Sequence, residues 1–261
     1  TVAWGLGYFG MPHILLRFMA IGEEKKLVLS RRIATVWVVI SMFVAILIGI
    51  IGYGASVAGV LPMFETSSES ETIIIRLAGL LAEKNFLLAL VAGVVLAGIL
   101  ACTMSTADSQ LLTAASSVSQ NLLQDFLKIK MSPKQSMLAA RLTVVGISLI
   151  AVVLAWNPDS SVFYIVSFAW AGFGAAFGPV VLFSLFWRRT NFQGALAGML
   201  TGGVMVFVWK YLVKPMGGVW GIYELLPAFI LGCIAIVVVS LATVAPSIRS
   251  IRFCTMKSEA K

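Results

Sequence analysis

Charge is scarce in this chain. Asp, Glu, Lys and Arg make up 11% of its 261 residues, while 60% are hydrophobic and mean hydropathy is +1.00. A soluble domain carries about 25% charged residues, so too little of this chain is polar enough to face water. That excludes a cytosolic enzyme, a disordered protein and a secreted domain. Cysteine is scarce too. Cys102 and Cys233 lie inside apolar stretches and Cys254 near the end, which makes no disulfide framework and predicts free thiols. Histidine occurs once, at His13. No catalytic Ser/His/Asp set, zinc-ligand spacing or phosphate-binding loop can be read. The expectation is a protein that is not an enzyme and holds no organic cofactor.

What the chain has instead is long apolar blocks, which define an all-α polytopic membrane protein with the lipid bilayer as its surroundings. Seven segments can be read: A (1–21), B (33–57), C (86–117), D (138–156), E (162–187), F (192–212) and G (222–244). Each reaches across roughly 30 Å of hydrocarbon at about 1.5 Å per residue. The net charge of +8 would suit nucleic acid if it were clustered. It is spread over short loops between apolar blocks, so it reads as topology and no nucleic-acid partner is expected. One alternating set of loops and the tail holds fifteen of the 19 basic residues; the other holds Arg76, Lys84, Lys210 and Lys214. The basic side is cytoplasmic by the positive-inside rule, so segment A and the C-terminus both end inside. The long outer loop at 59–84 contains an apolar run over 72–82, too short to span, that reads as a helix lying on the outer surface. Residues 64–70 suit a disordered loop better.

The chain opens Thr1-Val2-Ala3-Trp4 within an apolar stretch, with no initiator Met or signal peptide ahead of it. It is read as the C-terminal part of a longer protein, with the missing N-terminal half as its partner.

Segment A is built to break. Three glycines and Pro12 fall within Gly5-Leu6-Gly7-Tyr8-Phe9-Gly10-Met11-Pro12. Pro12 lacks a backbone donor and its ring would clash with the Tyr8 carbonyl. A broken helix is tolerated at membrane depth where it faces protein or a water-filled cavity, and in transporters such breaks offer backbone groups to substrate or ion. Trp4 and Tyr8 lie one turn apart beside the break, as a binding wall or as aromatics of a kinked packing helix. His13 is a proton carrier or, more often at such a position, a hydrogen-bonded structural residue.

Segment C carries a polar stripe. At about 100° per residue, Cys102, Ser105, Thr106, Ser109, Thr113, Ser116 and Gln120 share one face. That face is costly against lipid and so meets protein or water. The adjacent hydroxyls of Ser105 and Thr106 suit a hard monovalent cation such as Na⁺ if backbone carbonyls complete the shell; helix packing through Ser and Thr is the other reading. Asp108, the only acidic residue deep in a span, lies at the stripe's edge. Segment E, with Ala169-Trp170-Ala171-Gly172-Phe173-Gly174-Ala175-Ala176-Phe177-Gly178-Pro179, reads as a close-packing surface.

Three motifs, Trp-Gly-Leu-Gly-Tyr-Phe-Gly-Met-Pro-His at 4–13, Met-Ser-Thr-Ala-Asp-Ser-Gln-Leu-Leu at 104–112 and Trp-Ala-Gly-Phe-Gly-Ala-Ala-Phe-Gly-Pro at 170–179, together resemble the sodium:solute symporter family, in particular its proline-carrying bacterial members. The resemblance covers essentially the whole chain. It implies a leucine-transporter-like fold in which 1–187 is the second inverted repeat, five helices with the first one broken. Residues 188–245 would be two additional helices and 246–261 a short basic cytoplasmic tail. It implies a secondary transporter in a bacterial cytoplasmic membrane that couples sodium entry to uptake of a small solute by alternating access. Proline is the first candidate solute; the alternatives are another solute such as pantothenate, or a non-transporting sensor module. Carried over by the motifs, Trp4, Tyr8 and Pro12 would bind substrate. Ser105, Thr106 and the Cys102 backbone carbonyl would bind sodium. Asp108 and Ser109 match positions of a second cation in some members.

Overall fold

A computed structural model of the protein describes residues 2–156 and 161–245. Cys254 and the expected tail at 246–261 lie outside them. Every regular element among the described residues is helical. Among the described residues, six helices are long and apolar enough to cross a membrane, over Lys25–Val57, Phe86–Phe126, Pro133–Leu154, Val162–Phe186, Phe192–Met216 and Leu225–Ala242. Segment A is not one helix. It comprises α1 (Val2–Gly7), a tighter 3₁₀ turn over Tyr8–Gly10, and α2 (Pro12–Met19). The chain leaves helical geometry at Met11, with φ −82° and ψ 112°. That is the extended conformation a residue before proline favours, and Pro12 then opens α2, where its missing N–H costs nothing.

The chain divides into two compact units, Thr1–Met19 with Phe163–Lys261, and Ala20–Val162. This division follows compactness, whereas the division at 187 and 245 follows repeat topology, so neither bears on the other.

In the unit formed by Ala20–Val162, α3 (Glu24–Val57) begins nine residues before the expected segment B. Lys25, Lys26, Arg31 and Arg32, expected in the loop before segment B, lie within α3, because Lys and Arg are good helix formers and their stems carry charge out to the interface. The following turn is held by Ser56, whose Oγ donates to Gly52 O and Pro62 O, both at 3.2 Å. Residues expected as loop form one helical turn, α4 (Ser67–Ser70), capped by Thr66 Oγ1, which accepts from Glu69 N at 3.2 Å. The surface helix is present as α5 (Ile73–Ala82). It packs close to α3, because a Cβ on Gly52 would overlap the Ile73 side chain. Asn85 caps α6 (Phe86–Ser116) by accepting from Leu88 N at 2.9 Å. The helix then widens to π winding over Ser117–Phe126 and closes at Lys128, with φ 57°. A capping box of Ser132 and Gln135, with Pro133 in the first turn, starts α7 (Pro133–Leu154). The Glu71 carboxylate accepts from Ser161 Oγ at 2.6 Å and from Val162 N at 3.0 Å.

The other unit holds α1, α2, α8 (Val162–Phe186), α9 (Phe192–Val208) and α10 (Leu225–Ala242). Its core is Ala171, Ala175, Val206, Leu225 and Ala228, all fully buried. Small residues set its spacing. Gly194, Gly198 and Gly202 of α9 leave no room for a Cβ against Ser240, Ile236 and the Ala175 carbonyl. On α8, a Cβ at Gly174 would lie 2.7 Å from Gly7 Cα, and one at Gly178 would lie 2.7 Å from the Phe229 ring. The small-residue surface read in segment E therefore packs on α1 and α10, as such surfaces do between membrane helices.

Candidate functional site

Of the three motif-bearing segments, A and E lie in one unit and C in the other. In the first, the break in segment A is walled by rings. Trp4 stacks on Trp170 (centroids 5.4 Å apart, planes at 29°), on Phe163 (5.7 Å, 25°) and on Tyr223 (6.4 Å, 14°). Tyr8 meets Trp170 edge-on at 4.9 Å and 84° and is 55% exposed, whereas Trp4 and Pro12 are half-buried. Trp170 Nε1 donates to the Trp4 carbonyl at 3.0 Å, and Tyr223 donates its hydroxyl to the Ser167 carbonyl at 2.6 Å. The motif residues Trp4 and Tyr8 are thus brought to one aromatic cluster.

Gly7 and Gly10 are buried against α8, where a Cβ would overlap the Trp170 indole in one case and the Phe173 carbonyl in the other. Gly5 is exposed with open space beside it. Of the three glycines, only Gly5 leaves the backbone accessible from outside. His13 is half-buried within α2, and its ring makes no hydrogen bond among the described residues.

In the second unit the polar stripe lies on α6 and its continuation. Threonine and serine hydroxyls there mostly bond the carbonyl one turn back: Thr106 Oγ1 to Cys102 O at 3.1 Å, Ser109 Oγ to Ser105 O at 3.0 Å and Thr113 Oγ1 to Ser109 O at 2.8 Å. Two of the expected cation ligands, the Thr106 hydroxyl and the Cys102 carbonyl, are therefore neighbours on one face. Ser105 is exposed in its unit and its hydroxyl makes no hydrogen bond among the described residues. Asp108 is exposed and forms no ion pair among them. Gln120 falls in the π-wound stretch, where the angular step per residue changes, yet its Oε1 still accepts from Ser116 Oγ at 3.4 Å. Three oxygens from one helix do not complete a shell for a hard cation, which takes about six.

Phe163, Trp170 and Tyr223 are the members of this aromatic cluster that sequence reasoning did not assign to it. Trp170 carried a signal, an aromatic one turn before Gly174 in a run otherwise made of small residues and phenylalanines. Phe163 and Tyr223 carried none that distinguishes them from interfacial aromatics.

These two features, a helix broken beside an aromatic wall and a hydroxyl stripe on an apolar helix, belong to an all-α polytopic membrane protein. The sequence profile of the sodium:solute symporter family matches residues 1–202, and the chain belongs to that family. Among individual relatives, it is 42% identical over 251 residues to the sodium/proline symporter of Escherichia coli K12, covering 94% of this chain and 47% of that protein. It is 41% identical over 252 residues to the osmoregulated proline transporter OpuE of Bacillus subtilis 168, covering 96% of this chain and 49% of the relative. It is 38% identical over 251 residues to a sodium/proline symporter of Staphylococcus aureus, covering 94% and 47%. The chain thus spans about half the length of the curated relatives it matches. No solved structure matches it.

Proposed function

We propose that the chain forms half of a secondary transporter that couples sodium entry to uptake of L-proline by alternating access in a bacterial cytoplasmic membrane, with its C-terminus cytoplasmic. The other half is the N-terminal partner that the relatives' length implies. The observation that carries this reading is the broken segment A, an interrupted helix with Trp4 and Tyr8 in an aromatic wall, in a chain whose relatives are named for sodium and proline.

Proline presents a compact apolar ring beside two opposite charges. Aromatic faces attract both the ring and its ammonium. Trp4, Tyr8 and Pro12 are assigned to substrate. Ser105, Thr106 and the Cys102 carbonyl are assigned to sodium, with the remaining ligands supplied by the partner half. Asp108 and Ser109 are assigned to a second cation or its pathway. Residues 1–187 form the second inverted repeat of a leucine-transporter-like core, 188–245 two additional helices, and 246–261 the basic tail.

The test is uptake of radiolabelled proline by the full-length protein. Uptake is expected to depend on an inward sodium gradient and to be blocked by excess unlabelled proline but not by pantothenate. Uptake that ignores the sodium gradient, or that pantothenate abolishes, removes this reading.

A further inference from the structure

We infer that Trp170 is a positioning residue of the transport site: its indole holds Trp4 and Tyr8 in place beside the break in segment A, and Gly7 is the notch that admits it. The inference rests on the assignment of Trp4 and Tyr8 to substrate.

Four observations converge on this one side chain. The indole N–H reaches the Trp4 carbonyl at 3.0 Å, close to where α1 passes into the 3₁₀ turn and hydrogen-bond geometry is poorer. A donor from outside the helix therefore fixes backbone that the helix itself holds weakly. The same indole stacks on the Trp4 ring at 5.4 Å and stands edge-on to Tyr8 at 4.9 Å, both favourable aromatic arrangements. A single residue thus orients both aromatic contacts proposed for substrate. Any side chain at Gly7 would overlap Nε1 and Cδ1 of this ring, so the glycine is needed for the indole to enter. Finally, Trp170 is anchored from behind, packed against the fully buried core of Ala171, Ala175, Val206, Leu225 and Ala228. Partly buried against that core, the ring loses part of its freedom and can act as a support.

A residue that only packs would, when altered, lower the amount of folded transporter. A residue that positions the wall would change how well each folded transporter binds proline. The two roles separate in proline uptake by the full-length protein, measured at saturating sodium and normalised to the amount in the membrane.

Trp170→Phe keeps a ring and removes the donor. It is expected to raise the half-saturating proline concentration roughly three- to tenfold, the net effect of one hydrogen bond, with the maximal rate within about twofold. Gly7→Ala is expected to produce a similar rise by displacing the indole. In a Trp170→Ala background, Gly7→Ala should add little further change, because the ring it would meet is gone; a double-mutant cycle reads this coupling directly.

Trp4→Ala and Tyr8→Ala serve as references. If they weaken apparent affinity while Trp170→Phe leaves it unchanged, or if Gly7→Ala and Trp170→Ala act additively, the role given to Trp170 is overturned and the substrate assignment stands. If neither reference variant shifts the affinity, the substrate assignment itself falls.

Discussion

A hydroxyl on a transmembrane helix has an acceptor ready in the carbonyl one turn back. Thr103, Thr106, Ser109 and Thr113 all use it. A sodium ion at the proposed site would compete with that bond at Thr106 but not at Ser105, whose hydroxyl has no partner among the described residues. The two residues should therefore respond differently. Ser105→Ala removes a proposed ligand and no back-bond, and is expected to raise the sodium concentration for half-maximal proline uptake about tenfold, ~1.4 kcal/mol. Thr106→Ala removes a proposed ligand but also frees the Cys102 carbonyl from its back-bond, so a smaller rise is expected. Cys102→Ala keeps the carbonyl and should leave sodium dependence nearly unchanged. Sodium titrations of uptake in the three variants check the order; a large effect of Cys102→Ala would mean that the thiol, not the backbone, matters. The candidate residues on α6 were legible because a stripe needs only the helical period. Trp170 was legible only as an aromatic in a small-residue run; its bond to Trp4 joins residues 166 positions apart, and no local pattern encodes that pairing.

At the scale of elements, chain breaks and caps do most to set the ends. Pro12 and its preceding glycines announce the interruption of segment A, since the ring removes a donor wherever it stands. Thr66-Ser-Ser-Glu69 has the spacing of a capping box, and one helical turn is present where loop was expected. The early start of α3 was hidden because charge marks the edge of an apolar run rather than the end of a helix. The π-wound continuation of α6 had no sequence mark.

The most heavily used cap is Asn191. Its Oδ1 accepts from Gly194 N at 2.8 Å to start α9, while its Nδ2 donates to Thr243 Oγ1 at 2.6 Å and Val244 O at 2.9 Å beyond the end of α10. Arg189 adds bonds from Nη2 to Leu241 O and Thr243 O, cationic charge at a helix C-terminus where it is favourable. Asn85, by contrast, caps α6 through a single bond. Asn85→Ala is expected to cost about 1 kcal/mol. Asn191→Ala is expected to cost about 2 kcal/mol or more, because two further bonds are lost. Thermal unfolding of the detergent-solubilised full-length protein compares them, and equal losses would show that the bonds to Thr243 and Val244 contribute nothing.

At the scale of the whole molecule, orientation in the bilayer follows from the distribution of charge over many loops. Two of the four basic residues on the expected outer side are engaged by neighbours: Lys214 pairs with the buried Glu224 at 3.0 Å, and Lys210 lies 3.6 Å over the Phe168 ring. The basic residues at 128–134 on the other side form no ion pair among the described residues. A cluster of unpaired cations left on one side is the pattern that resists translocation. The class of fold was legible in the sequence because it depends on sums over segments and tolerates boundary errors such as that of α3; the orientation expected from the same sums is what labelling tests.

Ser67 and Lys130 provide the test. Both belong to the same compact unit and both are exposed, so a difference in labelling between them reports the side of the membrane and not burial. In full-length protein lacking its native cysteines, Ser67→Cys is expected to react with a membrane-impermeant thiol reagent applied to intact cells. Lys130→Cys is expected to react only after the membrane is opened. The opposite pattern would invert the topology, placing the end of segment A and the C-terminus outside. Labelling of both sites in intact cells would mean that an odd number of crossings does not separate them, against the single passage of α6 between residues 67 and 130.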